Sequence, residues 1–477
     1  MPFPVGVLTM MSLRLRPAAA CLAALSLVLS GCALQMPDTE QMMRDVAPQS
    51  WSVPLPGKGD PAAMRDFWKN WNDPVLLRLV LRAEEANTDV LTALATLRAA
   101  RASLLDANAA LWPSASIGAN AQKDRAQNVT SDTYSAAGDA SWTFNLAGSS
   151  LSNRNAAYWN ALAKQLSAAD TRELIAAETA QAYINYRSAQ AQLAVIKDSV
   201  ANYENTAQLA GWRAAAGTSS QAEAEQALVE LGTARARIPE IQTSITEYRN
   251  ALARLTSLPA DRLDLGEGPI PEPPAGLASS IPAETLMRRA DVQGAVAAVR
   301  SAAESLRKSQ EDYFPTLTLT GSIGTQAAAV GALGASGTGI ASLIGALSMP
   351  VLNWGSLKAA EESAAAGLDE AKASYVSVLV KALEETDNAL QGISSSEARD
   401  GVLREAILHA QESYRLSELE YRSGVGDYTL LLSAQLSLLT VRESLVTNQA
   451  NRANQYVMLY RSIGGAWASA GDEGQKQ

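Results

Sequence analysis

The fold is decided by the stretch Tyr313-Phe314-Pro315-Thr316-Leu317-Thr318-Leu319-Thr320-Gly321-Ser322. Successive side chains of a β-strand point to opposite faces, so Leu317 and Leu319 share one face and the threonines around them share the other. A strand with one apolar and one hydroxyl face suits a wall between lipid and water. The uncharged stretch 315–357 is long enough for a transmembrane helix, but its eight glycines and the alternation favour strands.

A second stretch of the same kind lies earlier in the chain, at Leu111-Trp112-Pro113-Ser114-Ala115-Ser116-Ile117-Gly118-Ala119-Asn120. The aromatic-proline pairs of the two stretches are 202 residues apart, and Gly217 and Gly424, which precede similar apolar runs, are 207 residues apart. Nearly equal shifts of this size indicate an internal duplication. We predict a first repeat over 67–258 with strands near 114–144, a proline-rich linker over 259–282, and a second repeat over 283–466 with strands near 316–349.

The predicted strands have the length that a tilted membrane strand needs, about ten residues each. They cover residues 114–123, 135–144, 316–325 and 340–349. Four strands cannot close a barrel, and open edges in lipid would leave backbone groups unpaired at a cost of several kcal/mol each. We therefore expect several copies of the chain to share one barrel. The alternative is a small soluble sandwich layer between helices.

Long helices are predicted on both sides of each strand pair. The chain is 47% hydrophobic but only 5% aromatic, and the alanine that supplies much of the apolar content favours closely packed helices. The predicted helices cover 74–112, some sixty residues before Gly217, a segment to Ser257, and in the second repeat 283–312, 356–422 and a segment to Ile463. Sixty helical residues give a rod on the order of 100 Å long, and its many charges exclude it from lipid.

The N-terminus has the layout of a secretory signal, whether translation starts at Met1 or Met11. Arg14 and Arg16 precede an apolar run over 18–29 that is too short to span a bilayer permanently. We predict a signal peptide over residues 1–31.

The apolar run ends in Leu29-Ser30-Gly31-Cys32, which is a lipobox. It predicts acylation of Cys32, which becomes the new N-terminus, and the absence of an aspartate after it is typical of lipoproteins sorted to the bacterial outer membrane. The alternative is a plain secretory signal with a chance cysteine. Residues 32–66 contain five prolines and are expected to form an extended lipidated tether, and 467–477 form a tail.

The composition argues against nucleic-acid binding and catalysis. The net charge is −10, and it becomes −12 without residues 1–31, which hold two arginines and no acid. His409 is the one histidine, and the two cysteines are Cys21 in the signal and Cys32, so the residues for a zinc cluster or a Cys-His pair are missing. The glycines between 331 and 339 lack a following Lys-Ser/Thr and indicate a loop rather than a phosphate cradle. We predict no enzyme activity, no metal and no cofactor besides the lipid on Cys32.

The most specific motif lies near the end of the chain. It reads Tyr421-Arg422-Ser423-Gly424-Val425-Gly426-Asp427-Tyr428, followed by Leu431-Leu432-Ser433-Ala434-Gln435. With these residues the chain, from Phe67 to Trp467, resembles the TolC-like outer-membrane efflux proteins, and within them the NodT/OprM-like lipoprotein exit ducts of resistance-nodulation-division (RND) pumps. The resemblance implies a mainly α fold with a small transmembrane β part. It further implies a homotrimer with a 12-stranded β-barrel, four strands per protomer, continuous with a 12-helix periplasmic α-barrel.

The resemblance also implies a function, that of a passive exit duct in the outer membrane. Drugs or other small toxic compounds would be delivered by an inner-membrane RND transporter through a periplasmic adaptor protein. An exit duct of a type I protein secretion system shares the fold and is the first alternative. A periplasm-spanning structural lipoprotein that conducts nothing is the second.

The family's gate lies at the periplasmic tip, where the helices of the second repeat turn. Carried over to this chain, the tip residues are Tyr421, Arg422, Gly424 and Asp427. Gly424 permits a sharp reversal that residues with a β-carbon resist. In the closed trimer we expect Tyr421 and Arg422 to bond to neighbouring helices, with Asp427, Glu223 and Glu225 as candidate partners.

The chain departs from its relatives at the constriction beside this gate. Relatives commonly carry an aspartate where this chain has Ser433, and a second acidic ring would fall on Leu430. Glu223 and Glu225 follow the break in the first repeat and are candidates for an acidic constriction at the same level. The alternative for both is a solvated helix face.

Overall fold

The structure is a computed structural model, and it describes residues 37–46, 67–126, 129–274 and 283–465. The helices are α1 (Thr39–Val46), α2 (Phe67–Asn70), α3 (Pro74–Ala86), α4 (Thr88–Ala109), α5 (Ser149–Ala215), α6 (Gln221–Thr256), α7 (Ala290–Glu311), α8 (Trp354–Ser423) and α9 (Tyr428–Ser462). The strands are β1 (Ser114–Ala126), β2 (Val129–Asn145), β3 (Thr316–Ala327) and β4 (Gly339–Ser348). Short 3-10 helices lie at Ala260–Arg262, Ala283–Arg288 and Val330–Ala332.

The order of these elements confirms the internal duplication. Helices α4 and α7 have 22 residues each and directly precede β1 and β3. The long helices α5 and α8 have 67 and 70 residues and follow the strand pairs. Each long helix ends at a turn that leads into a second helix, α6 or α9, of 36 or 35 residues.

The first of two compact units contains Leu104–Tyr158 and Arg300–Asp369. Its sheet has the order β1-β2-β3-β4, and every neighbouring pair is antiparallel. The predicted strands are present, but β1 and β2 are 13 and 17 residues long rather than about ten. Their pairing continues through a charged segment that carries no apolar alternation, where Lys123 and Asp132 form a cross-strand ion pair at 3.2 Å. Cross-strand pairs of opposite charge stabilise a ladder without an apolar face.

The second unit contains Thr39–Ser103, Trp159–Val299 and the chain from Glu370 onward. Its largest core cluster includes Phe67, Trp68 and Trp71 from the start of the first repeat and Tyr460 from the end of the second. The rings of Phe67 and Tyr460 stack with their centroids 4.2 Å apart and their planes 13° from parallel. The two repeats therefore share one core.

A buried arginine ties the linker that follows the first repeat to this core. Arg187 is 3% exposed and donates hydrogen bonds to the hydroxyl of Tyr183 and to the main-chain oxygens of Leu265 and Gly266. The Tyr183 hydroxyl donates in turn to Asp73, whose carboxylate caps α3. The linker after α6 is thus fixed at its start by main-chain contacts.

The helix predicted over 74–112 is divided in the structure. Asn87 separates α3 from α4 with extended backbone angles, and its side chain accepts from the main-chain nitrogen of Asp89 at 2.8 Å. Its amide also donates to the main-chain oxygen of Leu255 at 2.9 Å. The prediction of one helix was wrong because this asparagine is held by a residue 168 positions away. The helix predicted over 283–312 likewise begins as a 3-10 segment, and α7 starts at Ala290.

The extended tether predicted over 32–66 is wrong for residues 39–46, which form α1. Prolines at 37 and 48 flank this segment but none lies inside it, so nothing in the backbone opposes a helix there. The hydroxyl of Tyr375 on α8 donates to the main-chain oxygen of Thr39 at 2.9 Å and fixes the start of α1. Cys32, the predicted signal peptide over 1–31 and the tail over 467–477 lie outside the described residues.

A cluster of charged side chains lies where the two repeats meet in the second unit. The guanidinium of Arg289 is 3% exposed and contacts Asp291 at 2.7 Å and Glu385 at 2.9 Å. It also donates to the main-chain oxygen of Ser462 at the end of α9. Burial raises the pKa of the nearby Glu173 to about 7, and the neighbouring carboxylates add to the effect. The cluster therefore holds a carboxyl group that titrates near neutral pH.

Candidate functional site

One face of the sheet in the first unit is apolar across the strands of both repeats. Trp142 of β2 lies opposite Leu319 of β3, and Phe144 lies opposite Leu317. Leu317 in turn lies opposite Leu347 of β4. Opposite residues of neighbouring strands point to the same face. The structure therefore confirms that Leu317 and Leu319 share an apolar face, and it shows that apolar residues of the first repeat lie on the same face.

The other face carries hydroxyl and carboxyl groups. Thr143 lies opposite Thr318, with their Oγ1 atoms 3.4 Å apart, and Asp139 lies opposite Ser322. Strand β4 is less regular, because Ile344 occupies this face opposite Thr320. The polar face is thus built by β2 and β3 more than by β4.

The apolar face is exposed within one chain and contains large side chains. Ile117 is 94% exposed, Leu343 83% and Ile323 72%. An apolar surface of this kind is covered by lipid or by another protein. Two tryptophans beside the strand ends, Trp112 and Trp354, are also exposed, and tryptophan is enriched where a membrane meets water.

Within the described ranges, no helix combines the length and the apolarity needed to cross a membrane.

The two helix turns of the second unit are built on glycine. Gly217 between α5 and α6 has φ +73°, and Gly424 between α8 and α9 has φ +82°, in the left-handed region that favours glycine. A Cβ on Gly426 would lie 2.8 Å from the Cβ of Glu420, closer than the chain allows. The predicted role of the glycines in the reversal of the chain is confirmed.

The structure brings two of the predicted site residues together. Tyr421 at the end of α8 is fully buried, and its hydroxyl donates to Oε1 of Glu223 in the first turn of α6 at 2.5 Å. Burial raises the pKa of Tyr421, and the bonded carboxylate of Glu223 raises it further. Tyr421 is therefore a neutral donor at physiological pH. The bond joins the turn of the first repeat to the turn of the second.

Arg213 contacts the same tyrosine and was not among the predicted residues. Its Nη1 donates to the main-chain oxygen of Tyr421 at 2.7 Å, and its Cζ lies 4.4 Å from the centroid of the Tyr421 ring. The available signal was position, since Arg213 lies in the last turn of α5, four residues before Gly217, where a cation is favourable. We call Arg213, Glu223 and Tyr421 the turn cluster.

The remaining predicted residues have local partners within one chain. Arg422 pairs with Glu418, one turn earlier on the same helix, at 2.6 Å. Asp427 caps α9 by accepting from the main-chain nitrogen of Thr429, whose hydroxyl and N–H lower the pKa of Asp427. Both contacts stay within α8 or at the start of α9, so they do not join these side chains to a neighbouring helix.

The acidic candidates separate in the structure. Glu223 belongs to the turn cluster, whereas Glu225 is exposed and accepts from Gln221 on its own helix at 3.0 Å. On α9, Leu430 and Ser433 are both exposed, and the Ser433 hydroxyl donates to the Leu430 main-chain oxygen at 2.8 Å. The exposed side of α9 therefore presents leucine and serine at these positions.

A groove of about 290 Å³ lies beside the turn cluster in the second unit. It is lined in part by Leu209, Trp212, Glu418, Arg422 and Leu431. Trp212 is 63% exposed although it is one of the larger apolar side chains of the chain. The groove thus combines an indole ring with a charged pair.

Among the described residues, no three His, Cys, Asp or Glu side chains are placed to hold a metal ion. His409 is exposed on α8, with Nε2 4.0 Å from the carboxylate of Glu405 on the same helix.

Comparison with known proteins gives matches over most of the chain. The family model described as outer membrane efflux protein (OEP) matches residues 79–257 and 281–465. The toluene efflux pump outer membrane protein TtgC of Pseudomonas putida is 27% identical over 464 residues, which cover 94% of this chain and 95% of the relative. The pyoverdine export outer membrane protein OpmQ of Pseudomonas aeruginosa is 27% identical over 448 residues, or 89% of this chain and 92% of the relative.

Two solved structures have a similar fold. The outer-membrane channel OprN has a TM-score of 0.80 at 24% identity and covers 91% of this chain and 100% of its own. The outer membrane protein VceC of Vibrio cholerae has a TM-score of 0.78 at 25% identity and covers 84% of this chain and 98% of its own.

Proposed function

Because the chain belongs to the outer membrane efflux protein family, we propose that it is the passive exit duct of a tripartite RND pump for small toxic compounds. The observation that carries this proposal is the sheet with one apolar and one polar face, joined in sequence to helices far longer than a bilayer is thick. Such a chain can form a wall in the membrane and a passage beyond it. The relatives are named for the efflux of toluene and the export of pyoverdine, which are small molecules.

The duct is a homotrimer in this proposal. The sheet of one chain ends in β1 on one side and β4 on the other, and each edge strand needs a partner in lipid. Three copies give twelve strands, which is within the range of single barrels in outer membranes. A clean monomer in detergent solution would contradict this assembly.

The adaptor protein is proposed to dock at the helix turns. The groove with Trp212 and Arg422 lies beside the turn cluster, and exposed tryptophan and arginine are the residue types that most often anchor protein interfaces. An adaptor that binds there would act directly on the closed end of the duct. The inner-membrane RND transporter would deliver the compound to this assembly.

The function can be tested by complementation. A strain without its own outer-membrane duct should regain resistance to toluene and to large antibiotics when it expresses this chain with an adaptor and an RND transporter. Restored secretion of a protein, with an ABC exporter in place of the RND transporter, would favour the type I secretion alternative. A trimer that inserts normally but restores neither drug resistance nor protein secretion would favour the structural lipoprotein.

The gate is proposed to be held closed by the bond from Tyr421 to Glu223. Tyr421→Phe combined with Arg422→Ser is expected to raise single-channel conductance in planar bilayers and to sensitise cells to large antibiotics. Because the ion pair of Arg422 is with Glu418 on its own helix, Tyr421→Phe alone should produce most of the change. Arg422→Ser is the matched control for the conductance measurement, in which no adaptor is present. If the double variant is trimeric and conducts like the wild type, the gate lies elsewhere, and a ring around Leu430 is the next candidate.

The lipid anchor is proposed at Cys32, which should carry diacylglycerol on sulfur and an acyl chain on nitrogen. Two or more buried acyl chains hold a protein stably on a membrane, whereas one chain does so only marginally. Mass spectrometry of the purified protein should find the lipidated N-terminal peptide starting at Cys32. Cys32→Ser should impair processing, although the strands can still retain protein in the membrane. An unmodified N-terminus, or one that starts elsewhere, would contradict the lipobox interpretation.

A further inference from the structure

We propose that Arg213 is a positioning residue of the gate, which holds Tyr421 in the orientation that bonds Glu223. The inference rests on the proposed gate function and adds a residue to it. Arg213 lies on the first repeat and Tyr421 on the second, so the contact joins the two halves of the duplication.

The main-chain contact places the end of α8. The oxygen of Tyr421 is one of the last carbonyls of that helix, where the regular α-helical donor four residues further on is missing. It accepts from Nη1 of Arg213 at 2.7 Å and from the main-chain nitrogen of Gly424 at 3.2 Å. A cation at the C-terminal end of a helix is also favoured by the helix dipole. Arg213 therefore fixes where the chain reverses.

The ring contact orients the side chain. The guanidinium carbon of Arg213 lies 4.4 Å from the centroid of the Tyr421 ring, within the range of a cation–π interaction. The ring of Tyr428 also lies close, with its centroid 6.0 Å from that of the Tyr421 ring. Because Tyr421 is fully buried, these neighbours restrict its ring to a narrow set of orientations, and in this one the hydroxyl reaches Glu223.

The two repeats have different residues at the positions of the turn cluster. Each repeat therefore contributes different side chains to it. The shift of 207 residues that relates Gly217 to Gly424 puts Glu420 at the position of Arg213 and Ala214 at the position of Tyr421. The first turn thus supplies the cation and the acceptor, Glu223, while the second supplies the tyrosine. Each protomer therefore contains one turn cluster rather than two.

The experiment compares single-channel conductance of four trimeric variants in planar bilayers: Arg213→Gln, Arg213→Lys, Tyr421→Phe and the control Arg235→Gln. Arg235 forms an exposed ion pair with Glu204 on the same helix hairpin. Loss of one net hydrogen bond shifts a closed-to-open equilibrium by roughly fivefold. Arg213→Gln should therefore raise conductance as much as Tyr421→Phe, and Arg235→Gln should leave it unchanged. Arg213→Lys keeps the charge and can still donate to the Tyr421 main-chain oxygen, but it loses the planar guanidinium that lies against the ring. Its conductance should therefore lie between those of the wild type and Arg213→Gln.

A double variant distinguishes a role of Arg213 in positioning Tyr421 from a general destabilisation of the fold. If Arg213 acts through Tyr421, adding Arg213→Gln to Tyr421→Phe should bring no further increase. An additive increase in conductance in the double variant would overturn the inference and leave the gate proposal intact. The same holds if Tyr421→Phe raises the conductance while Arg213→Gln conducts like the wild type. If neither single variant changes conductance, the gate proposal fails, and the inference fails with it. Should Arg213→Gln not assemble, an assembled Arg213→Lys with wild-type conductance would overturn the inference equally.

Discussion

Leu319→Arg is expected to prevent stable insertion into the outer membrane, whereas Thr318→Arg, one residue earlier, is expected to insert normally. Leu319 lies on the apolar face between Trp142 and Gly345, and a Cβ on Gly345 would lie 3.5 Å from its Cδ2. An arginine on the lipid face of a membrane strand costs roughly 2 to 4 kcal/mol near the bilayer midplane. In a trimer that cost occurs in each of the three chains.

Thr318→Arg is the control for Leu319→Arg, because both variants add the same side chain to the same strand. Thr318 lies on the polar face opposite Thr143, where an arginine can be solvated. The measurement is the amount of heat-sensitive trimer in purified outer membranes, with total expression as the reference. Equal insertion of the two variants would contradict the assignment of the faces.

Glu173→Gln is expected to stabilise the second unit at pH 8 and to have little effect at pH 5. Burial and the neighbouring carboxylates Asp170 and Asp291 raise the pKa of Glu173 from 4.5 to about 7, although Arg289 opposes them. The folded chain thus holds this proton more tightly than the unfolded chain. Its stabilising contribution is fully present below about pH 4.5 and is lost as the pH rises through about 7. Glutamine stays neutral throughout and avoids that loss, which is roughly 1 to 3 kcal/mol per chain.

The measurement is the apparent unfolding temperature of the detergent-solubilised protein at pH 5, 6, 7 and 8. The gain of the variant over the wild type should grow across this range. Glu247→Gln, at an exposed position on α6, is the matched control and should show no such trend. A constant difference between Glu173→Gln and the wild type at every pH would contradict the interpretation.

Sequence patterns with a fixed period were sufficient for the strands and the turns. The alternation around Leu317 and Leu319 predicted the faces, and Gly217 and Gly424 predicted the reversals, because both signals are local to the backbone. The charged ends of β1 and β2 were missed because they carry no apolar alternation. Alternation of apolar and polar residues identifies a strand only where one of its faces contacts lipid or a core. It gives no signal where the strand extends into water.

Contacts between distant residues could not be predicted from the sequence. The break at Asn87 depends on Leu255, and the position of Tyr421 depends on Arg213, 208 residues away. For Tyr421 the sequence offered three carboxylates as partners, of which the structure selects Glu223. Which carboxylate meets Tyr421 depends on how the packed helices are rotated relative to one another. A sequence pattern does not predict this rotation.

The stacking of Phe67 on Tyr460 has a consequence for how the protein is made. These rings belong to one core cluster, yet they are 393 residues apart in a chain of 477. A chain that is exported from its N-terminus therefore lacks the last part of this core until almost all of it has crossed the inner membrane. Formation of such late, long-range contacts is slow. The polypeptide should thus stay unfolded throughout its passage, as a secretion channel requires, and should depend on periplasmic chaperones until its final helix arrives.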